Sequence, residues 1–134
     1  MKLSSKTITA IKLFIDLGEH YQEGYISLKD VSNRKDVSKK FLEQIVPIYK
    51  TNGLLIGNRG NQGGYKLAKD PQDISLKDII FTLETSFYKE EVGYLSIDDT
   101  IARLDVIIDD FFSNISLSQL IEKQKESYSY DYSI

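Results

Sequence analysis

From Ser5 onward, Ile8, Ile11, Phe14 and Ile15, joined by Leu17, recur at three- and four-residue steps, the spacing that turns one stripe of a helix toward a core. This first helix is expected to stop between Gly18 and Tyr21. The chain is then extended through Gly24–Ile26, and Ser27 with Asp30 three residues on forms a variant capping box for a short second helix ending near Arg34. Ser38 caps a third helix whose Phe41, Leu42, Ile45 and Ile48 are expected to point inward, and Asn52-Gly53 marks its end. Pro47 sits inside that helix. Its missing N–H and its ring cost roughly 3 kcal/mol in a regular interior, which predicts a kink or an early end. Three helices with a four-residue gap before the last read as a helix-turn-helix.

Leu54-Leu55-Ile56 then reads as a strand, Gly57 to Gly64 as a turn-rich tip and Tyr65 to Ala68 as the returning strand of a hairpin, a wing. The tip is too long and polar for a two-residue turn. Its four glycines let the backbone approach another surface, and its single charge is Arg59. Beyond it, Ser75 and Asp78 open a fourth helix burying Leu76, Ile79, Ile80 and Leu83. Ile97, Ile101, Leu104, Ile108 and Phe111 alternate four- and three-residue steps, the spacing of a helix that packs on another helix. Val106, Ile107 and Phe112 widen that stripe, so one face can bury on its own domain and one on a twin. Ser116 to Gln119 cap a final short helix carrying Leu120 and Ile121, and residues 127–134, with alternating tyrosines, lack helical periodicity. The expected fold is mainly α with a small β-hairpin wing. Residues 1–84 form a winged helix-turn-helix domain, 85–126 a linker, a dimerisation helix and the short terminal helix, and 127–134 a mobile tail.

Composition removes most chemistry. The 134 residues are 41% hydrophobic, enough for one core, and contain no Cys and a single His, His20. Disulfides, thiolate metal sites, cysteine-held iron–sulfur clusters and Cys nucleophiles are excluded, and imidazole clusters or Ser/His/Asp triads have almost no material. Asp16 and Glu19 interrupt the first apolar run, so neither a secretory signal nor a membrane span is read, and a soluble, cytoplasmic chain is expected. Asp98, Asp99, Asp105, Asp109 and Asp110 read as a solvated helix face; no metal site is proposed, because nothing fixes an oxygen cage at EF-hand spacing.

Net charge of −3 hides an asymmetry: residues 1–70 hold twelve Lys and Arg against seven Asp and Glu, and residues 71–134 hold five against thirteen. A basic half suggests a polyanion-facing module. In a helix-turn-helix the second helix enters the DNA major groove with its N-terminal residues nearest the base edges, here Ser38, Lys39, Lys40, Glu43 and Gln44. Lysines supply phosphate contacts or reach guanine, Gln pairs with adenine, and Glu accepts from the cytosine amino group. Arg59 on a glycine-rich wing suits a narrow minor groove, with Asn58, Gly60, Gln62, Gly63 and Gly64 around it.

On these residues the chain resembles the Rrf-two family of bacterial winged helix-turn-helix transcription regulators. The matching stretches are Met1 to Ser4, Ser27-Leu28-Lys29-Asp30-Val31, Ser38 to Gln44 with Leu42-Glu43-Gln44 at its centre, and Asn52-Gly53-Leu54. They continue with Arg59-Gly60, Gly63 to Ala68, Ile74 to Ile80 and Leu83-Glu84. The resemblance implies a homodimer on a partly palindromic operator, with the third helix in the major groove and the wing in the minor groove, and phosphate contacts at the helix starts Ser4-Ser5 and Ser27. Iron–sulfur members of that family carry three cysteines between the fourth helix and the dimer helix. Thr85 to Asp98 has none, so the resemblance is to a clusterless branch without a cofactor. Ile8-Thr9 also departs from the small and aromatic residues usual there. The resulting reading is a regulator, not an enzyme, whose partners are double-stranded DNA, a second copy of itself, and either a small-molecule effector or a partner protein. The competing reading is a winged fold used for protein contacts; Lys39, Lys40 and Arg59 argue against it.

Overall fold

The computed structural model describes residues 3–61, 63–84 and 98–132. Its helices are α1 (Ser5–Glu19), α2 (Leu28–Lys35), α3 (Lys39–Thr51), α4 (Leu76–Leu83), α5 (Asp98–Ser113) and α6 (Leu117–Tyr132), with a hairpin of β1 (Leu55–Asn58) and β2 (Gly64–Leu67) between α3 and α4. The mainly α winged-helix architecture read from the sequence is the one observed.

Core burial starts from α1, which touches α2, α3, α4, α6 and β2. Ala10, Leu13, Phe14 and Leu17 lose essentially all solvent contact. The expected stripe is therefore rotated: Ile8 is 41% exposed and Ile11 only half-buried, while Ala10 and Leu13 are inside. Spacing identifies an apolar helix, but with five neighbours the buried arc is wider than one stripe, and the packing partners choose its centre. That arc includes a charge. Asp16, with its side chain 1% exposed, takes both arms of Arg34 on α2 at 2.9 and 2.8 Å, fixing the α1–α2 crossing.

The caps predicted at Ser27 and Ser38 form, each accepting from a backbone N–H three residues on, and Ser75 with Asp78 makes a complete capping box; Ser4, not among the expected caps, does the same for α1 by accepting from the Thr7 N–H. Contrary to expectation, Pro47 neither ends nor shortens α3, which runs on to Thr51. The proline lies on the exposed face, as does Glu43, whose carbonyl loses its helical N–H partner, so water can replace that bond at little cost. Ile48 is likewise 41% exposed rather than inward, and Tyr49 takes the core position. The Tyr49 ring stands edge-on to Phe14 at 4.8 Å and its hydroxyl donates to the Ile79 carbonyl; burial pushes its pKa well above the usual phenol range.

β1 and β2 pair antiparallel from Leu55↔Leu67 to Asn58↔Gly64, so pairing consumes Gly57, Asn58 and Gly64 and shortens the expected tip to residues 59–63. A further bridge, Ile26↔Tyr65, ties β2 to the segment leading into α2. The C-terminal part also differs from the expectation. The last helix is not short: α6 has 16 residues and continues through Tyr132, into the stretch read as a mobile tail. Once a helix has nucleated, each added residue gains a hydrogen bond, so weak periodicity does not stop it. Its Leu117 and Ile121 are buried, and a Cβ added to Gly18 of α1 would lie 2.6 Å from Ile121 Cδ1. α5 leans on α4 through Phe112 against Phe81 (5.5 Å) and Asp109 against Lys77 (2.6 Å), so Asp109 is ion-paired rather than merely solvated.

Replacing Arg34 by Ala leaves the Asp16 carboxylate buried without its partner. Urea unfolding is expected to show a loss of about 3 kcal/mol, and the Asp16→Asn/Arg34→Ala double variant a smaller loss than the sum of the singles.

Candidate nucleic-acid interface

Ser38, Lys39, Lys40, Glu43 and Gln44 are all exposed on the first two turns of α3, opposite the buried Leu42, Ile45 and Val46. The sequence therefore fixes this surface: the same periodicity that buries one side presents the other. Ser38 Oγ accepts from the Phe41 N–H at 3.2 Å, so it works as a cap before it can meet any ligand. Lys39 and Glu43 stand 4.0 Å apart and both are more than half exposed, a contact too weak to withdraw either from a partner.

On the wing, Asn58, Arg59 and Gly60 are exposed. Gly60 takes φ +132°, which side chains rarely adopt, and its carbonyl accepts from the Gly63 N–H at 2.9 Å, closing the turn. Gly63 and Gly64 serve the hairpin itself. A Cβ at Gly63 would sit 2.7 Å from the Asn58 carbonyl oxygen, and one at Gly64 would collide with the Ile26 carbonyl. Gln62 lies outside the described residues.

Three lysines absent from the sequence-based set are seated on aromatic rings around this surface. Lys6 lies 6.0 Å from the Phe41 ring centre, Lys50 5.9 Å from Tyr65 and Lys66 4.7 Å from Tyr25. Each pair joins different segments, so no single-segment pattern reveals it. The Lys6–Phe41 contact puts the first turn of α1 beside the first turn of α3.

At the head of α1, Ser4 and Ser5 are exposed, but Ser4 is not free: its N–H donates to Glu84 Oε1 at 3.1 Å, and the Thr7 hydroxyl donates to the same oxygen at 2.7 Å. The Thr7 hydroxyl and then Ser4 hold the Glu84 carboxyl below the usual range. At the head of α2, Ser27 Oγ accepts from the Asp30 N–H at 3.1 Å and Ser27 is half-buried.

The α5 stripe splits. Ile101 and Ile108 are half-buried, sharing the face of Asp109 and Phe112 that is turned to α4, whereas Leu104 and Phe111 are 49% and 61% exposed. Ile107 and Val106 are exposed with them, and Ile97 lies outside the described residues. Among the described residues, α5 thus fills one apolar side against its own chain and leaves Leu104, Val106, Ile107 and Phe111 largely uncovered.

A sequence profile of the Rrf2 family, described as an iron-dependent transcriptional regulator, matches residues 3–123. The HTH-type transcriptional regulator IscR of Photorhabdus laumondii is 33% identical over 134 residues, covering 93% of this chain and 82% of the relative. IscR of Serratia proteamaculans is 34% identical over 133 residues, covering 92% and 81%. Among solved structures, T. potens IscR superposes with a TM-score of 0.79 at 30% identity, covering 97% of this chain and 96% of that one. CymR, described as the global cysteine regulator of B. subtilis, superposes with 0.80 at 28% identity, covering 92% and 98%. No helix among the described residues is long and apolar enough to cross a membrane.

Gly64→Ala is expected to lower stability by about 2 kcal/mol through collision with backbone. Hydrogen exchange at the Ile26 and Tyr65 amides, which bond each other's carbonyls across the bridge, should accelerate selectively.

Proposed function

Since the chain belongs to the Rrf2 family of transcription regulators, we propose that it is a cytoplasmic repressor that binds a partly palindromic operator as a homodimer, without an iron–sulfur cluster. The observation that carries the DNA contact is the solvent-facing row Lys39, Lys40, Glu43 and Gln44 at the start of α3, with Arg59 at the wing tip. Lys39 and Lys40 meet phosphates, Gln44 and Glu43 read base edges in the major groove, and Arg59 with Gly60 enters the minor groove. The wing backbone near Asn58, Gln62, Gly63 and Gly64 follows the groove, and Ser5 and Ser27 approach phosphates at helix starts.

Dimerisation is assigned to the exposed α5 residues Leu104, Ile107 and Phe111, with Ile97 continuing the same repeat and Ile101 and Ile108 bracing α5 on its own chain. Two heads joined by such a helix meet half-sites at a fixed spacing. The cluster-free reading rests on composition: none of the 134 residues is a cysteine, and carboxylates match poorly the softness of iron–sulfur iron. An effector has room in the open cleft between the start of α4 and the α5–α6 turn, lined by Ile74, Leu76, Phe111, Ile115 and Leu120. Control by a partner protein is the second reading, favoured by Val106, which is 59% exposed on α5 and outside the set assigned to dimerisation.

The test is selection from fragmented host genomic DNA by the purified chain at two salt concentrations, followed by sequencing. An inverted repeat upstream of a few genes is expected; retention without preference would defeat the operator reading. On that repeat, Arg59→Ala should lose about tenfold in affinity, chiefly when the flanks are A·T-rich. Leu104→Asp should sediment as monomer, and a persisting dimer would remove α5 as the interface.

A further inference from the structure

Residues opposite each other across a hairpin share one of its faces, and their neighbours along the strands share the other. Gly57 and Tyr65 are paired on the face of Leu55 and Leu67 that closes over the core; Ile56 and Lys66 are paired on the opposite face, where Ile56 is 40% exposed. Lys50, in the last turn of α3, reaches the first face. Its Nζ stands 5.9 Å from the centre of the Tyr65 ring, and a Cβ at Gly57 would lie 3.2 Å from that nitrogen and 3.1 Å from Tyr65 Cε1, so the glycine leaves room for lysine and ring to lie against the strand. Lys66 turns the other way, its Nζ 4.7 Å from the centre of the Tyr25 ring. Tyr25 is on that side because the bridge from Ile26 to Tyr65 puts Ile26 on the core side and the residue before it on the outer one. The wing therefore has one ring-seated ammonium on each face.

Neither ammonium is paired with a carboxylate: the ion pairs among the described residues take in Lys35, Lys39, Lys77 and Lys125 but not Lys50 or Lys66. A tyrosine ring restrains the flexible lysine stem without neutralising its charge, so each ammonium keeps its attraction for an anion while part of the entropy lost in an anion contact is already gone. Beyond the two lysines lies the tip, with Arg59 exposed. A minor groove is walled by two sugar–phosphate backbones, one from each strand. We propose that the wing grips both strands of the duplex: when its tip enters the minor groove, Lys50 on one face of the hairpin meets a phosphate of one strand and Lys66 on the other face meets a phosphate of the other, with Tyr65 and Tyr25 positioning them. The proposal rests on the DNA-binding reading above. A wing held from one side alone is drawn toward that wall; opposed contacts centre Arg59 between the two and fix its register.

The experiment uses the full-length chain and a genomic fragment retained in the selection. Wild type, Lys50→Gln, Lys66→Gln, Lys66→Arg and, as a net-charge control on α6, Lys125→Gln are compared by affinity across a salt series and by hydroxyl-radical footprinting of each DNA strand. Each wing glutamine variant is expected to bind about fivefold more weakly, with a plot of log K against log salt shallower by about 1 and a melting temperature close to wild type. Lys50→Gln should uncover sugars of one strand beside the wing and Lys66→Gln sugars of the other. Lys66→Arg should match wild type, because its cation still stacks on Tyr25, and Lys125→Gln should change nothing. Loss of protection on the same strand in both glutamine variants overturns the two-strand grip. Wild-type affinity in either of them, or weaker binding at an unchanged slope, which is what a loosened wing gives, overturns the phosphate contacts, as does an equal loss by Lys125→Gln. Failure of the wild-type chain to bind any DNA overturns the DNA-binding reading, and this proposal with it.

Discussion

With Ala10, Leu13 and Phe14 withdrawn completely from solvent, α1 is the helix on which the remaining elements are assembled. Burying it needs partners on nearly every side, and α2, α3, α4, α6 and β2 supply them. Its one buried charge is acceptable because Arg34 returns both hydrogen bonds. An unpaired carboxylate at that depth would oppose the hydrophobic gain that holds the cluster together.

The exposed face of α3 follows from that arrangement. Tyr49 and Phe14 meet edge to face in the core, which seats α3 across α1 and leaves Ser38 to Gln44 facing out. The wing is set by a separate device, the bridge between Ile26 and Tyr65, which needs glycine at 64 because the Ile26 carbonyl occupies the space of a Cβ. Since Ile26 directly precedes the Ser27 cap, wing, α2 and α3 are held as one body. Such rigidity is what the proposed docking of a helix and a loop tip in two grooves requires.

Much of this was legible in the sequence because it depends on local rules. Ser27, Ser38 and Ser75 announce helix starts through their own side-chain geometry, and the repeat of Leu42 and Ile45 dictates that Lys40 and Gln44 face away from the core. Other features were legible only in part. Pro47 looked like a helix breaker, yet its cost depends on whether the freed carbonyl meets water or core, and exposure is a tertiary property. The α5 residues were recognised as apolar, but their division into Ile101 and Ile108 toward α4 and Leu104 and Phe111 toward solvent needed the position of α4.

What the sequence determined by itself was the order of elements, most of their caps, the outward face of the first turns of α3 and the absence of cysteine chemistry, since each is written in spacings of a few residues or in composition. What only the tertiary structure decided were contacts between residues far apart along the chain: Asp16 with Arg34, Lys6 with Phe41, Ile26 with Tyr65, and Glu84 on the head of α1. Hydrophobic periodicity marks an element as amphipathic but specifies neither which element will cover it nor, as Ile8 and Ile48 show, where the buried arc is centred, so pairings of this kind are settled only when the whole core closes.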